Sequence, residues 1–244
     1  MDAWLSRRTL LSGTVGGGLL AAVGAGAAQA ALEADPVAVA LVEADPLRHS
    51  ITRLVRTRKQ WRARAPKRHI EVLKHGPDHI VVHHTATPNT RVVSLSHAYA
   101  LSRQIQRFHM QGRGWNDIGQ QLTISKGGHV MEGRQYSLSA ILTGRHVVGA
   151  QTLRHNTHTL GIENEGDYTT ARIPARLWSA LVQTCSLLCA AYGLDPHHAI
   201  VGHRDFNHTD CPGDVLYARL PALRRAVAAR LALIRPRRHS GGGL

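Results

Sequence analysis

Ile80-Val81-Val82-His83-His84-Thr85-Ala86-Thr87 is the stretch on which the fold turns. Three β-branched residues in a row, with no polar alternation, read as a buried strand, and that strand runs straight into two histidines. Successive side chains of a strand face opposite sides, so only one of His83 and His84 can serve a given site. Downstream, Ser94 is placed to cap a helix in which Leu95, Ala98, Leu101, Ile105 and Phe108 recur at helical spacing until Gly112 and Gly114 stop it. Gln120 to Ile124 and His129 to Glu132 flank Lys126-Gly127-Gly128, a hairpin pattern. Leu160-Gly161-Ile162-Glu163 reads as a further strand. Pro174 opens a helix with an apolar stripe that includes Leu177, Leu181, Leu188 and Tyr192, and Gly193 closes it. Ile200-Val201 leads into a loop from Gly202 to Asp214, and a last helix from about Pro221 carries Leu223, Val227 and Leu231. The expectation is an α/β fold, a central mixed β-sheet flanked by helices, in a single domain over residues 77–234.

The 244 residues allow one domain of about 150 residues plus extensions. Hydrophobic residues make up 43%, enough to bury a core. The formal charge of +14, with 17 histidines counted neutral, calls for an anionic partner. A cell wall carrying acidic polymers and a nucleic acid both fit that balance. Only 5% aromatics for base stacking, no nucleic-acid-binding motif and an export signal argue against nucleic acid. Cys185 and Cys189 stand four apart in a helical pattern, badly placed for a disulfide, which leaves Cys211 for other chemistry.

The opening carries Arg7-Arg8-Thr9-Leu10-Leu11, then an apolar Gly/Ala-rich run ending in Ala28-Gln29-Ala30. It resembles a Tat export signal over residues 1–30, cleaved after Ala30. The competing readings are a Sec signal and an uncleaved anchor; Thr9 to Ala30 is barely long enough to span a bilayer and holds six glycines. Export to the periplasm, cell wall or exterior is therefore expected, with no stable membrane insertion after cleavage. Residues 31–76 read as a basic linker or arm, with ten Lys/Arg against Glu71 alone between Arg48 and Lys74. A solvated or disordered arm and a wall-binding arm are both open. Residues 235–244, beginning Arg235-Pro236-Arg237-Arg238, form a basic, Gly-rich tail.

Two clusters could carry chemistry. One is the strand end at His83-His84. The other is Gly202-His203-Arg204-Asp205 with Thr209-Asp210-Cys211-Pro212-Gly213-Asp214, a loop in which His203 and Cys211 can converge. A catalytic zinc takes three protein ligands and leaves a fourth position for water, a count that two histidines and one cysteine satisfy. With 17 histidines, a chance pairing of His and Cys spacing stays open on this reading.

His83-His84-Thr85-Ala86, Gly114-Trp115-Asn116-Asp117-Ile118-Gly119, Glu132-Gly133-Arg134, Leu160-Gly161-Ile162 and Gly202-His203-Arg204-Asp205 through Cys211-Pro212-Gly213-Asp214 occur in that order. Together, over about residues 79–232, they resemble the peptidoglycan recognition protein and N-acetylmuramoyl-L-alanine amidase family, which includes phage amidase-type lysozymes. The resemblance implies Zn2+ held by His83, His203 and Cys211, and a substrate of peptidoglycan or muropeptides. Members that bind without cutting commonly lack that cysteine, which this chain keeps. Two positions depart from the recognition-protein branch: Gln120 stands where its catalytic tyrosine follows the Gly-Trp block, and Gln151 where a histidine usually follows Val-Gly-Ala. Another branch uses a glutamate after Gly-Ile, which here is Glu163, as general base and acid. Thr209 matches the position of a lysine or threonine near the scissile carbonyl. His84, Trp115, Gln120 and Asn156 are expected to touch substrate. The implied activity is zinc-dependent hydrolysis of the bond between the lactyl group of N-acetylmuramic acid and L-alanine. The alternative is a catalytically silent peptidoglycan binder.

Overall fold

The computed structural model describes residues 45–234; the expected export signal over residues 1–30, residues 31–44 of the expected arm and the basic tail lie outside the described residues. At the centre is β3 (His79–His84), which contains the Ile80-Val81-Val82 run. It pairs in parallel with β7 (Thr159–Asn164) on one side and β8 (Ile200–Gly202) on the other. β7 pairs in parallel with β4 (Leu122–Ile124), β4 antiparallel with β5 (Val130–Glu132), and β5 in parallel with β1 (Val55–Arg56). The result is a mixed sheet, as expected, of six strands in the order β1-β5-β4-β7-β3-β8. A separate antiparallel pair joins β2 (Val72–Leu73) to β6 (His146–Val147).

Seven α-helices occur among the described residues: α1 (Pro46–Leu54), α2 (Leu95–Arg107), α3 (Ser137–Leu142), α4 (Ala175–Tyr192), α5 (Pro196–Ala199), α6 (Asp214–Ala218) and α7 (Leu220–Ile234). The Ser94 hydroxyl caps α2 by accepting from the His97 N–H at 3.2 Å. Gly193, left-handed at φ 68°, ends α4. α2 runs on into a single π turn, Phe108–Gly112, which carries His109.

One face of the sheet presents Ile80, Val82, Leu122, Ile124, Leu160 and Ile162 to Leu177 and Leu181 of α4 and Leu223 and Val227 of α7. Each such side chain, fully buried, stabilises the fold by about 1.5–3 kcal/mol. The other face carries the odd-numbered residues of β3, β4, β5 and β7. There Met131 packs with Ala98 of α2 and with Trp61, while the register aligns Thr123, Glu163 and His83 side by side. In parallel strands register partners share a face, so Glu163 and His83 are neighbours on it.

Residues 45–76 correct the expectation of a linker. The compact unit begins at Asp45, and Ile51, Val55, Trp61 and Ile70 are all buried. The Trp61 indole donates to the Glu132 carbonyl at 2.8 Å, and Arg58 forms a 3.0 Å ion pair with Asp117, which is wholly buried. Arg58 also donates to the carbonyls of Arg64 and Gly133. Isolated apolar residues among many cations concealed the docking, and one of those cations is itself a structural partner.

Candidate metal centre and its pocket

His83 at the end of β3, His203 just after β8 and Cys211 in the following loop bring their ligand atoms within 4.8 Å of one another. The Cys211 Sγ lies 3.6 Å from His83 Nδ1 and accepts the His84 backbone N–H at 3.4 Å. The 203–214 loop is held in shape by its own motif. Asp205 accepts from the Gly202 N–H at 2.7 Å, and Arg204 pairs with Asp214 at 2.8 Å and stacks over the Tyr217 ring. The Thr209 hydroxyl accepts the Cys211 N–H at 3.3 Å.

The outer hydrogen bonds fix which nitrogen of each imidazole faces inward. His83 Nε2 meets the Gln151 carboxamide oxygen at 2.6 Å. That amide cannot flip, because its nitrogen donates to the Thr159 carbonyl and hydroxyl at 3.2 and 2.9 Å. His83 must therefore carry its proton on Nε2, leaving Nδ1 with a lone pair toward Cys211. His203 Nε2 likewise meets Asn207 Oδ1 at 3.1 Å. Gln151 gains this position because residue 161 is glycine: a Cβ there would stand 2.7 Å from the Gln151 side chain. Burial, with His203 as a second cause, pushes His83 down to about 3, and burial also lowers His203, so both are neutral ligands at neutral pH. Burial, with Glu163 next, pushes the Cys211 thiol up to about 12. Two neutral imidazole nitrogens and one sulfur, each imidazole oriented by an amide oxygen, form a donor set that fits zinc.

Glu163 is half-buried beside this cluster and lines a cavity of about 300 Å³. The cavity is lined by Thr85, Thr87, Leu101, Gln104, Ile105, Phe108 and His109. Burial pushes Glu163 up to about 8, which holds it as the acid at neutral pH until a nearby cation favours the carboxylate. His109 accepts the Gly119 N–H at 3.1 Å through Nδ1, and burial ahead of Arg113 and Arg134 lowers it to about 4.

The remaining expected residues fall in different places. Trp115 is half-buried and stacks on His109 at 4.6 Å, beside the cavity rather than in its lining. His84 is buried and accepts the Tyr168 N–H at 3.2 Å, which locks its ring away from the cavity lining. Gln120, expected to touch substrate, is wholly buried with its amide donating to Thr123 at 2.9 Å; it has no surface to offer. Asn156 spends its side-chain oxygen on the Gln151 and Thr152 N–H groups at 2.8 and 3.1 Å, bracing the loop that carries Gln151. Sequence reasoning missed His109, Gln104 and Asn207. Only Asn207, four residues after His203 in the same loop, left a spacing that could have pointed to it.

A family profile described as N-acetylmuramoyl-L-alanine amidase matches residues 73–214, which include every ligand and pocket residue named above. The chain belongs to that family. Human N-acetylmuramoyl-L-alanine amidase is 36% identical over 140 residues, which cover 57% of this chain and 23% of that protein. Peptidoglycan-recognition protein LB of Drosophila melanogaster is 30% identical over 164 residues, 67% of this chain and 66% of that one. The chain thus spans less than a quarter of the human relative's length, at 23%. The solved structure of Drosophila peptidoglycan-recognition protein LB matches with a TM-score of 0.60 at 28% identity, covering 69% of this chain and 92% of that one. Peptidoglycan-recognition protein LE, solved in complex with tracheal cytotoxin, a monomeric diaminopimelic acid-type peptidoglycan, gives 0.59 at 27%, covering 70% and 94%. Several blocks that mark the amidase family in this chain serve its frame. Asp117 accepts from Gln106, Gln135 and Arg58, Glu132 from the N–H groups of Arg58 and Leu138, and Arg134 donates to the Ile118 carbonyl.

Proposed function

We propose that this chain is a zinc-dependent amidase that cleaves peptidoglycan between the lactyl group of N-acetylmuramic acid and the L-alanine of the stem peptide. The observation that carries the reading is the convergence of His83, His203 and Cys211, with Glu163, the register partner of His83, lining a cavity of about 300 Å³. His83, His203 and Cys211 would hold zinc, which would supply the Lewis acidity that polarises an amide carbonyl and makes water more acidic. Glu163 takes the proton of the attacking water and delivers it to the alanine nitrogen, which is otherwise a very poor leaving group. The Thr209 hydroxyl accepts from the Cys211 N–H, so its own proton is available to the developing oxyanion. Leu101, Ile105 and Phe108 offer apolar surface to the methyl groups of a stem peptide, and Thr85, Thr87, Gln104 and His109 offer polar groups to its amides.

A second reading, a binder that does not cut, is favoured by one observation. Gln120 occupies the position of the catalytic tyrosine of the recognition-protein branch, and it is buried. Glu163 supplies the group that reading lacks. No described helix is long and apolar enough to cross a membrane, and the Arg7-Arg8 signal supports export through the Tat route to a wall whose anionic polymers suit a +14 chain.

Glu163→Gln and Cys211→Ala test the assignment. Glu163→Gln is expected to keep zinc at the His83, His203 and Cys211 cluster and lose turnover, and Cys211→Ala to lose the zinc of that cluster together with turnover. Near-normal turnover in Glu163→Gln would remove Glu163 from the mechanism.

A further inference from the structure

We propose that Asp78, His79 and His158 form a second divalent-metal site, distinct from the His83, His203 and Cys211 cluster, that takes an ion of the zinc class. His79 opens β3 and His83 lies near its other end, so the two clusters are separated by four strand residues, about 13 Å. No single ion can serve both.

The ligand atoms of the three residues lie within 4.8 Å of one another. His79 Nδ1 and His158 Nδ1 meet the same Asp78 oxygen, at 2.6 and 2.7 Å. The backbone sets this convergence: the N–H groups of Asp78 and His79 donate to the His158 carbonyl at 2.9 and 3.4 Å. Phe206 walls the cluster, edge-on to His79 and His158 at 5.5 and 5.9 Å and tilted against His155 at 4.4 Å, so the rings are held before any ligand arrives. His155 Nδ1 lies 3.0 Å from His158 Nε2. That is the outer partner a metal-bound imidazole ordinarily has, and it fixes ring orientation and tautomer.

The side chains of His79 and His158 are 33% exposed and that of Asp78 62%, which leaves an approach for an ion and positions for water. Two imidazoles and one carboxylate select zinc, copper, nickel or cobalt over magnesium and calcium. The present contacts are hydrogen bonds. An ion about 2.0–2.1 Å from each donor requires the carboxylate to draw back, which an exposed aspartate permits. Coordination through Nδ1 leaves Nε2 of His158 facing His155 Nδ1 as its outer hydrogen-bond partner. An ion here ties the start of β3 to the 151–158 loop, which carries Gln151, and abuts the loop of Phe206 and Asn207. It would thereby stiffen the two segments that orient His83 and His203.

The test is zinc titration by calorimetry of the full, metal-stripped chain carrying His83→Ala and Cys211→Ser, which silences the other cluster. One zinc per chain is expected to remain. Adding His158→Gln or Asp78→Asn should weaken it by at least about tenfold, with circular dichroism unchanged, while His197→Gln with His198→Gln leaves it intact. No zinc bound in that background, or binding indifferent to both His158→Gln and Asp78→Asn, overturns the site. Should the background fail to fold, zinc per wild-type chain decides: a stoichiometry that falls by one in Asp78→Asn supports the site, and an unchanged one overturns it. Because activity is never read, the outcome does not depend on whether the chain is an amidase.

Discussion

Replacing Arg58 by alanine separates an arm that merely carries charge from a segment built into the domain. The Arg58 side chain is 12% exposed and its partner Asp117 0%, with a closest approach of 3.0 Å. Removing the guanidinium leaves a buried carboxylate without its nearest cation, and strips donors from the Arg64 and Gly133 carbonyls. Breaking a buried pair from one side costs about 3–5 kcal/mol. Two features soften the loss. The Gln106 amide and Gln135 N–H still donate to Asp117 at 2.7 and 2.9 Å, and Arg134 remains within Coulombic reach. The expected cost is therefore near the lower end, about 3 kcal/mol, which for a domain of this size lowers Tm by roughly 10 °C. Urea and thermal unfolding of Arg58→Ala, Asp117→Asn and the double variant give the loss and the coupling between the pair. A loss below about 1 kcal/mol, the range of exposed ion pairs, would refute the buried brace and return residues 45–76 to a solvated arm.

Two further outcomes follow from the hydrogen-bond geometry. Gln151→Leu removes the acceptor on His83 Nε2 and is expected to weaken zinc binding by about 10–100-fold while the fold persists, measured by competition with a chromophoric chelator. His109, lowered from 6.5 to about 4 by burial, stays neutral in the fold but takes up a proton on unfolding below pH 6.5. Its contribution to stability therefore falls as pH drops from about 6.5 to about 4, and His109→Gln should flatten that limb of the stability curve by up to one proton, about 1.4 kcal/mol per pH unit.

What the sequence disclosed tracks the strength of each local signal. The run Ile80 to Val82, the Ser94 cap and the Gly127-Gly128 turn each have one physical solution, and the structure adopts it. His83, His203 and Cys211 were named as a set by the order of the family blocks, whereas spacing alone left His84 and a chance pairing open. Strands β1, β2 and β6 are two residues long and have no period to read. Ile51, Val55, Trp61 and Ile70 are single anchors among cations, so their burial comes from tertiary contacts that composition conceals. Gln151 looked like a departure from a pattern; only the fold reveals that Gly161 makes room for it over the sheet. Gln120 and Asn156 mislead for the opposite reason, since residues that brace a loop or fill a space beneath the sheet look like polar contacts in a sequence.

The most direct measurement is zinc content and product identity on one purified sample, incubated with sacculi and with a soluble muropeptide and read by mass spectrometry. About one zinc per chain at the His83, His203 and Cys211 cluster, removed by Cys211→Ala, is expected, together with free stem peptides that begin with alanine. Zinc bound through Cys211 with no peptide released from either substrate would contradict that expectation, and the chain would then be a peptidoglycan binder.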